Sequence, residues 1–162
     1  MSIEIIGHGG AGDFYPGNSR ESIEKALEIG VDRIEIDVLV TGDGELVLVH
    51  DDKVSLGRGK PAPVRKLPTG ILRGHLDSML TLDEFFALIG PTMPVLIDLK
   101  RPGYEEAVAK ALEGQTRPSV WISTTHARSI RKLHRLLPSV EFGLSSGHMA
   151  NAVSWLVVHP FA

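Results

Sequence analysis

Cysteine is absent from the 162 residues. That excludes a disulfide scaffold and any thiolate metal site, and it leaves the compartment open. A surplus of one charge sign is missing too. Lys and Arg number 17 against 20 Asp and Glu, a formal net charge of −3, which argues against a nucleic-acid partner. The one basic stretch, Arg128, Arg131, Lys132, His134 and Arg135, falls at helical spacing and reads as a solvated helix face. No apolar run is long enough for a transmembrane segment. The N-terminus, MSIEIIGHGG, has neither a basic n-region nor a long apolar h-region, so a signal peptide is not expected. The expectation is a soluble, cytoplasmic protein.

What is present is ordinary for a globular domain: 43% apolar and 23% charged residues. Folding a chain of this length buries roughly 68–70% of its extended surface, enough for one core. A single domain over 1–162 is expected. Strand and helix patterns alternate along it. Residues 3–6 read as a strand running into Gly7-His8-Gly9-Gly10. Asn18 or Ser19 can cap a helix over 20–29 that ends at Gly30. Residues 33–40 alternate as a strand, Thr41-Gly42-Asp43-Gly44 is a tight turn, and 45–49 return. Residues 51–79, rich in Gly and Pro, read as a long excursion. Thr81 caps a helix with Leu82, Phe85, Phe86 and Ile89 on one face. Strands follow at 94–99, 120–123, 140–144 and 155–159, with helices over 104–113 and 127–137 and a short one over 149–153. Such βα units imply a parallel sheet.

Polar residues that interrupt apolar strands carry the chemistry, because a buried charge is costly unless paired or bound to metal. They gather at predicted C-terminal strand ends, where parallel α/β folds place active sites. His8 sits among glycines and is either catalytic or incidental to a flexible loop. Gly7-x-Gly9-x-x-Gly12 matches a dinucleotide fingerprint poorly, since Asp32 precedes a strand instead of ending one. Glu35 and Asp37, two apart on a strand, project to one side while Ile34, Ile36 and Val38 project to the other. Adjacent carboxylates repel unless a cation or proton lies between them. They read as hard ligands for Mg²⁺ or Ca²⁺, or as the solvated face of a sheet edge. His50-Asp51 closes the next strand. Asp98 and Lys100 share a face, and the lysine can bind phosphate or pair with the acids.

The order of these motifs resembles the glycerophosphodiester phosphodiesterase family. That family has a histidine loop after the first strand, a Pro-x-Asn-Thr/Ser capped helix, Glu-x-Asp on the second strand, His-Asp soon after, and Glu-x-Lys on the third. Here these look like His8-Gly9-Gly10, Pro16-Gly17-Asn18-Ser19, Glu35-Ile36-Asp37, His50-Asp51 and Asp98-Leu99-Lys100. The closest stretch is SIEKALEIGVDRIEIDV, Ser22 to Val38. The resemblance implies a (β/α)₈ barrel that hydrolyses a small-molecule glycerophosphodiester to glycerol 3-phosphate and an alcohol. It implies His8 and His50 as the acid/base pair, Glu35, Asp37 and Asp98 as ligands of a divalent metal, and Lys100 as a phosphate contact. It places Gly9 on the substrate side of the loop, where the family usually has arginine, and Asp98 where it usually has the longer Glu. Two other outcomes of the same resemblance are a non-catalytic phosphodiester-binding relative and a lyase-like enzyme that releases a cyclic phosphate.

About six barrel strands are legible, whereas such barrels typically run to about 250 residues with eight. Open strand edges invite pairing. The expectation is a longer natural protein, a homo-oligomer whose subunits close each other's barrels, or an open sheet.

Overall fold

The computed structural model describes residues 3–57, 60–114, 119–145 and 156–158. Its elements follow in chain order. They are β1 (Ile6–Gly7), α1 (Arg20–Ile29), β2 (Arg33–Val40), β3 (Leu46–Leu48), β4 (Lys53–Val54), β5 (Ala62–Pro63), α2 (Thr69–Arg73), α3 (Leu82–Ile89), β6 (Val95–Leu99), α4 (Glu105–Leu112), β7 (Val120–Thr124), α5 (Ala127–Leu136), β8 (Glu141–Leu144) and β9 (Leu156–Val158). A single 3₁₀ turn, Val64–Lys66, precedes α2.

Local chemistry sets the helix ends. The Ser19 hydroxyl accepts the Ser22 N–H and starts α1, and Gly30 stops it at φ 79°, a conformation costly for a residue with a Cβ. At α3, Thr81 accepts the Glu84 N–H at 3.2 Å while the Glu84 carboxylate accepts the Thr81 N–H at 2.9 Å. This reciprocal box satisfies two otherwise orphan donors. Tyr104, expected inside its helix, is instead the residue before α4.

The sheet runs β1-β2-β6-β7-β8-β9, with β3 attached to β2. The pairings from β1 through β8 are parallel, while β9 lies antiparallel on β8 and β3 antiparallel on β2. The expected count of about six strands on the path therefore holds, but the last runs against the others. Helices α1, α3, α4 and α5 cover one face, giving the architecture of a (β/α)₈ barrel left open. The short helix expected over 149–153 lies outside the described residues. The first strand is reduced to two residues, and Ile3 and Ile5 before it are exposed.

Two apolar cores result. The larger one packs Ile34, Ile36, Val38, Val95, Ile97, Leu99, Ile122 and Phe142 of the sheet beneath the helices, with Ile23, Phe85, Val108 and Leu133 among the helix contributions. The smaller one gathers Leu39, Val47, Val49, Val54, Val64, Leu72 and Met79. Alternation along the β2–β3 hairpin divides the two. Val38, Leu46 and Leu48 face the first core, and Leu39, Val47 and Val49 the second. The excursion over 51–79 is thus built around its own small core, with the β4–β5 hairpin and α2 as its frame.

Candidate active site

Register brings the acids together. In the parallel ladder Asp37 of β2 stands beside Asp98 of β6, which stands beside Ser123 of β7. All three point away from the helices. Glu35 lies two residues before Asp37 on the same face. The result is a cluster in which Glu35, Asp37 and Asp98 each offer an oxygen within 4.8 Å of the others.

Each carboxylate is held. Glu35 Oε2 accepts the Gly9 N–H at 2.8 Å and lies 3.0 Å from His8 Nδ1. Gly9 makes that approach at φ 56°, and a Cβ there would meet the Gly17 Cα at 3.2 Å. Asp37 Oδ2 accepts from Asn18 Nδ2 at 2.7 Å, while Asn18 Oδ1 accepts the Asp37 N–H at 2.9 Å. Asp98 Oδ1 accepts from the Ser123 hydroxyl at 2.7 Å. The Lys100 ammonium bridges Asp37 Oδ1 at 2.6 Å and Asp98 Oδ2 at 2.9 Å. Burial opposes the charge on Lys100, but its hydrogen bonds to Asp37 and Asp98 prevail and leave it above its ordinary value.

Three carboxylates face one ammonium, so negative charge is in excess at a largely buried point. An all-oxygen donor set with uncompensated charge fits a hard divalent cation. The backbone beside the cluster is pinned as well. The Tyr104 hydroxyl donates to the Val38 carbonyl at 2.6 Å and accepts the Arg101 N–H at 3.3 Å, so the turn after Lys100 is fastened to the end of β2.

His8 is mostly exposed at its side chain (86%), and among the described residues its ring is anchored through Nδ1 alone. The hydrogen bond to Glu35, followed by that residue's negative charge, raises the imidazole above its ordinary value. His50 pairs with Asp51 at 2.8 Å. The two histidines are not bonded to each other, but with Gly9, Asn18 and Asp37 they line one cavity of about 610 Å³. Of the site residues expected from the sequence, Glu35, Asp37 and Asp98 form the acidic cluster, Lys100 bridges two of them, and His8, Gly9 and His50 line this cavity. Gly9, expected on the substrate side, spends its N–H on Glu35.

Two partners were not singled out as site residues. Asn18 sits at φ 66°, a left-handed conformation that Asn tolerates better than most residues, and there it reaches Asp37 instead of capping α1. The signal was two candidate caps in succession, since a helix start uses one. Ser123 was legible as a polar residue in the buried strand VWIST, on the face Trp121 shares.

Residues 8–157 match the model of the Glycerophosphoryl diester phosphodiesterase family. A glycerophosphodiester phosphodiesterase from Caldanaerobacter subterraneus subsp. tengcongensis is 32% identical over 186 residues, covering 99% of this chain and 76% of the relative. One from Bacillus altitudinis is 28% identical, covering 87% of this chain and 65% of the relative. Among solved structures, an Oleispira antarctica phosphodiesterase in complex with the product sn-glycerol-3-phosphate superposes with a TM-score of 0.78 at 25% identity, covering 93% of this chain and 68% of that one. The chain spans roughly two thirds to three quarters of the length of these relatives.

Proposed function

The chain belongs to the glycerophosphoryl diester phosphodiesterase family, and from that membership we propose that it hydrolyses glycerophosphodiesters to glycerol 3-phosphate and an alcohol, with a divalent cation, Mg²⁺ or Ca²⁺, and with His8 and His50 as acid and base. The observation that carries this reading is the cluster of Glu35, Asp37 and Asp98 with His8 hydrogen-bonded to its rim.

Glu35, Asp37 and Asp98 would hold the cation, whose charge supplies neutralisation of the phosphoryl oxygens. The protein's own groups do the rest. His8 is bound at Nδ1, so its other ring nitrogen is left to exchange a proton with substrate. One histidine takes the proton of the glycerol 2-hydroxyl as it attacks phosphorus and the other protonates the leaving alkoxide; water then opens the resulting cyclic phosphate with the two roles reversed, giving glycerol 3-phosphate. Lys100, now shared between two carboxylates, is the proposed phosphate contact when those carboxylates are engaged by the cation. Gly9 lines the cavity shared by His8 and His50, and its backbone is the proposed substrate-side wall of that loop.

Cleavage of glycerophosphocholine with and without EDTA tests the reading. Turnover that EDTA abolishes and added Mg²⁺ or Ca²⁺ restores is expected, with glycerol 3-phosphate as the final product by phosphorus NMR. A cyclic phosphate as the end product would make the protein a lyase. Binding of the diester without cleavage under all conditions would make it a binding relative. Calorimetry of Glu35→Gln combined with Asp37→Asn should show metal binding lost. The exposed side chains of Ile3 and Ile5 before β1 and of Ile6 within it support self-association, and light scattering that finds only monomer would remove that part of the proposal.

A further inference from the structure

A second cavity, of about 420 Å³, lies on the other side of the β2 end. Three segments enclose it: the tip of β2, the excursion, and the turn between β6 and α4. Leu39, Val64 and Pro102 supply apolar wall, and Tyr104, fastened to the Val38 carbonyl, stands behind them. Its volume is in the range of small-molecule sites, and its mix of apolar lining with a few convergent polar groups is theirs as well.

The polar groups are the informative part. Two arginines line the cavity, Arg65 from the 3₁₀ turn and Arg101 from the turn after β6. One carboxylate, Asp52, lines it too, and it is committed to Arg101 at 2.6 Å. Arg65 makes no ion pair among the described residues. The cavity therefore carries one uncompensated cation, in a protein whose formal net charge is −3. A guanidinium beside a partly apolar wall selects multi-oxygen anions, carboxylates and phosphates, over cations. None of the catalytic candidates lines this space, but its walls are their chain neighbours. Arg101 follows Lys100, and Asp52 stands two residues beyond His50.

We propose that this cavity is a binding site, separate from the acidic cluster, for a small organic anion: a phosphate- or carboxylate-bearing molecule with a short apolar body, held by Arg65 and Arg101. The apolar body rests on Leu39, Val64 and Pro102, and the anionic head lies between the arginines. Binding there competes with Asp52 for Arg101 and so bears on the turn that carries Lys100.

Backbone amide NMR with two probes, phenyl phosphate and benzoate, reads the site directly. Shifts at the amides of Leu39, Val64 and Arg101 are expected with either probe. Arg65→Glu should weaken that binding by roughly tenfold or more, the loss of a charge-assisted contact. Arg65 is exposed, outside the catalytic machinery, and its replacement should leave the fold and basal turnover unchanged. Phosphate without an aryl group separates the two parts of the claim, since inorganic phosphate should bind more weakly than phenyl phosphate. Shifts confined to the His8 to Asn18 loop and His50 would place the anions in the acidic cavity alone and overturn the proposal. Equal binding by wild type and Arg65→Glu would overturn it too. Because the readout is binding, it stands or falls independently of diesterase activity.

Discussion

The two faces of β2 and β6 are made from alternate residues of the same strands, yet they obey opposite rules. Toward the helices stand Ile34, Ile36, Val38, Val95, Ile97 and Leu99, all buried. Toward the barrel interior stand Arg33, Glu35, Asp37, Asp98 and Lys100, with Leu96 and Leu39 as the apolar residues among them. The first face excludes water and is stabilised in proportion to its apolar area. The second keeps charged groups away from bulk solvent through mutual contacts, an arrangement that contributes little net stability. The strands are therefore fixed from behind by packing, and the front is free to serve chemistry. Even the deep end of the interior face follows this pattern. Arg33, 4% exposed, is held by Glu4, the Val95 carbonyl and Ser119, with its guanidinium 3.7 Å from the centre of the Trp121 ring.

Substitutions on either side sharpen this contrast. The largest effect is expected from His8→Ala, and from His50→Ala, each lowering turnover by about 10²–10⁴-fold, the usual contribution of a positioned acid or base. Both side chains are mostly exposed, so thermal melts should be unchanged. Near-full activity of either variant would reduce that histidine to a bystander. Next come two neighbours on one strand. Ile97→Ala should cost about 2–5 kcal/mol in denaturant unfolding, because it opens a cavity under the helices. Asp98→Asn should cost under about 1 kcal/mol, since the amide keeps an acceptor for Ser123, Lys100 retains Asp37, and one repelling charge is gone. Equal losses at 97 and 98 would break the division between the faces.

A smaller effect concerns a charge behind the sheet. Glu105 opens α4 and is buried against α5. Burial alone would raise its carboxyl, but hydrogen bonds from Ser129, the Gly103 backbone and Lys132 prevail and bring it down from 4.5 to about 2. A group depressed in the folded state contributes stability that is complete above its unfolded value and lost as pH falls through its folded one. Stability should therefore decline between pH 4.5 and 2, and Glu105→Gln should flatten that part of the profile. Acid titrations of both proteins, followed by circular dichroism, supply the check.

Much of this is legible in the sequence. Ser19, Gly30 and Thr81 mark helix ends through chemistry that acts within four residues, and Glu35 and Asp37 share a face because side chains alternate along any strand. The resemblance implies the grouping of Asp98 with Glu35 and Asp37, and the parallel register of β2 and β6 brings the three together. What stayed hidden depends on distant partners. Asn18 reads equally well as a cap until β2 places Asp37 beside it. Val54, Val64, Leu72 and Met79 have no period in the sequence, so their joint core emerges only when the excursion closes on Leu39 and Val49. The Thr69 N–H and hydroxyl bond to Asp43, 26 positions away, a pairing that no local pattern announces.

The separate core of the excursion has a consequence for how the molecule breathes. Besides the chain connection through the β2–β3 hairpin, the excursion is joined to the main body by the bridge of Ser19 with Met79 and by polar contacts such as Thr69 with Asp43, Asp52 with Arg101 and Arg73 with Glu84. A unit with its own apolar cluster can open cooperatively at a free energy below that of global unfolding. Such an opening would loosen Asp52, Val64 and Arg65 together, while Glu35, Asp37 and Asp98 stayed fixed on strands packed from behind. Hydrogen exchange would then fall into two classes, a faster one for the backbone amides of the excursion and a slower one for β2 and β6, with the boundary running through the β2–β3 hairpin between residues that face one core and residues that face the other.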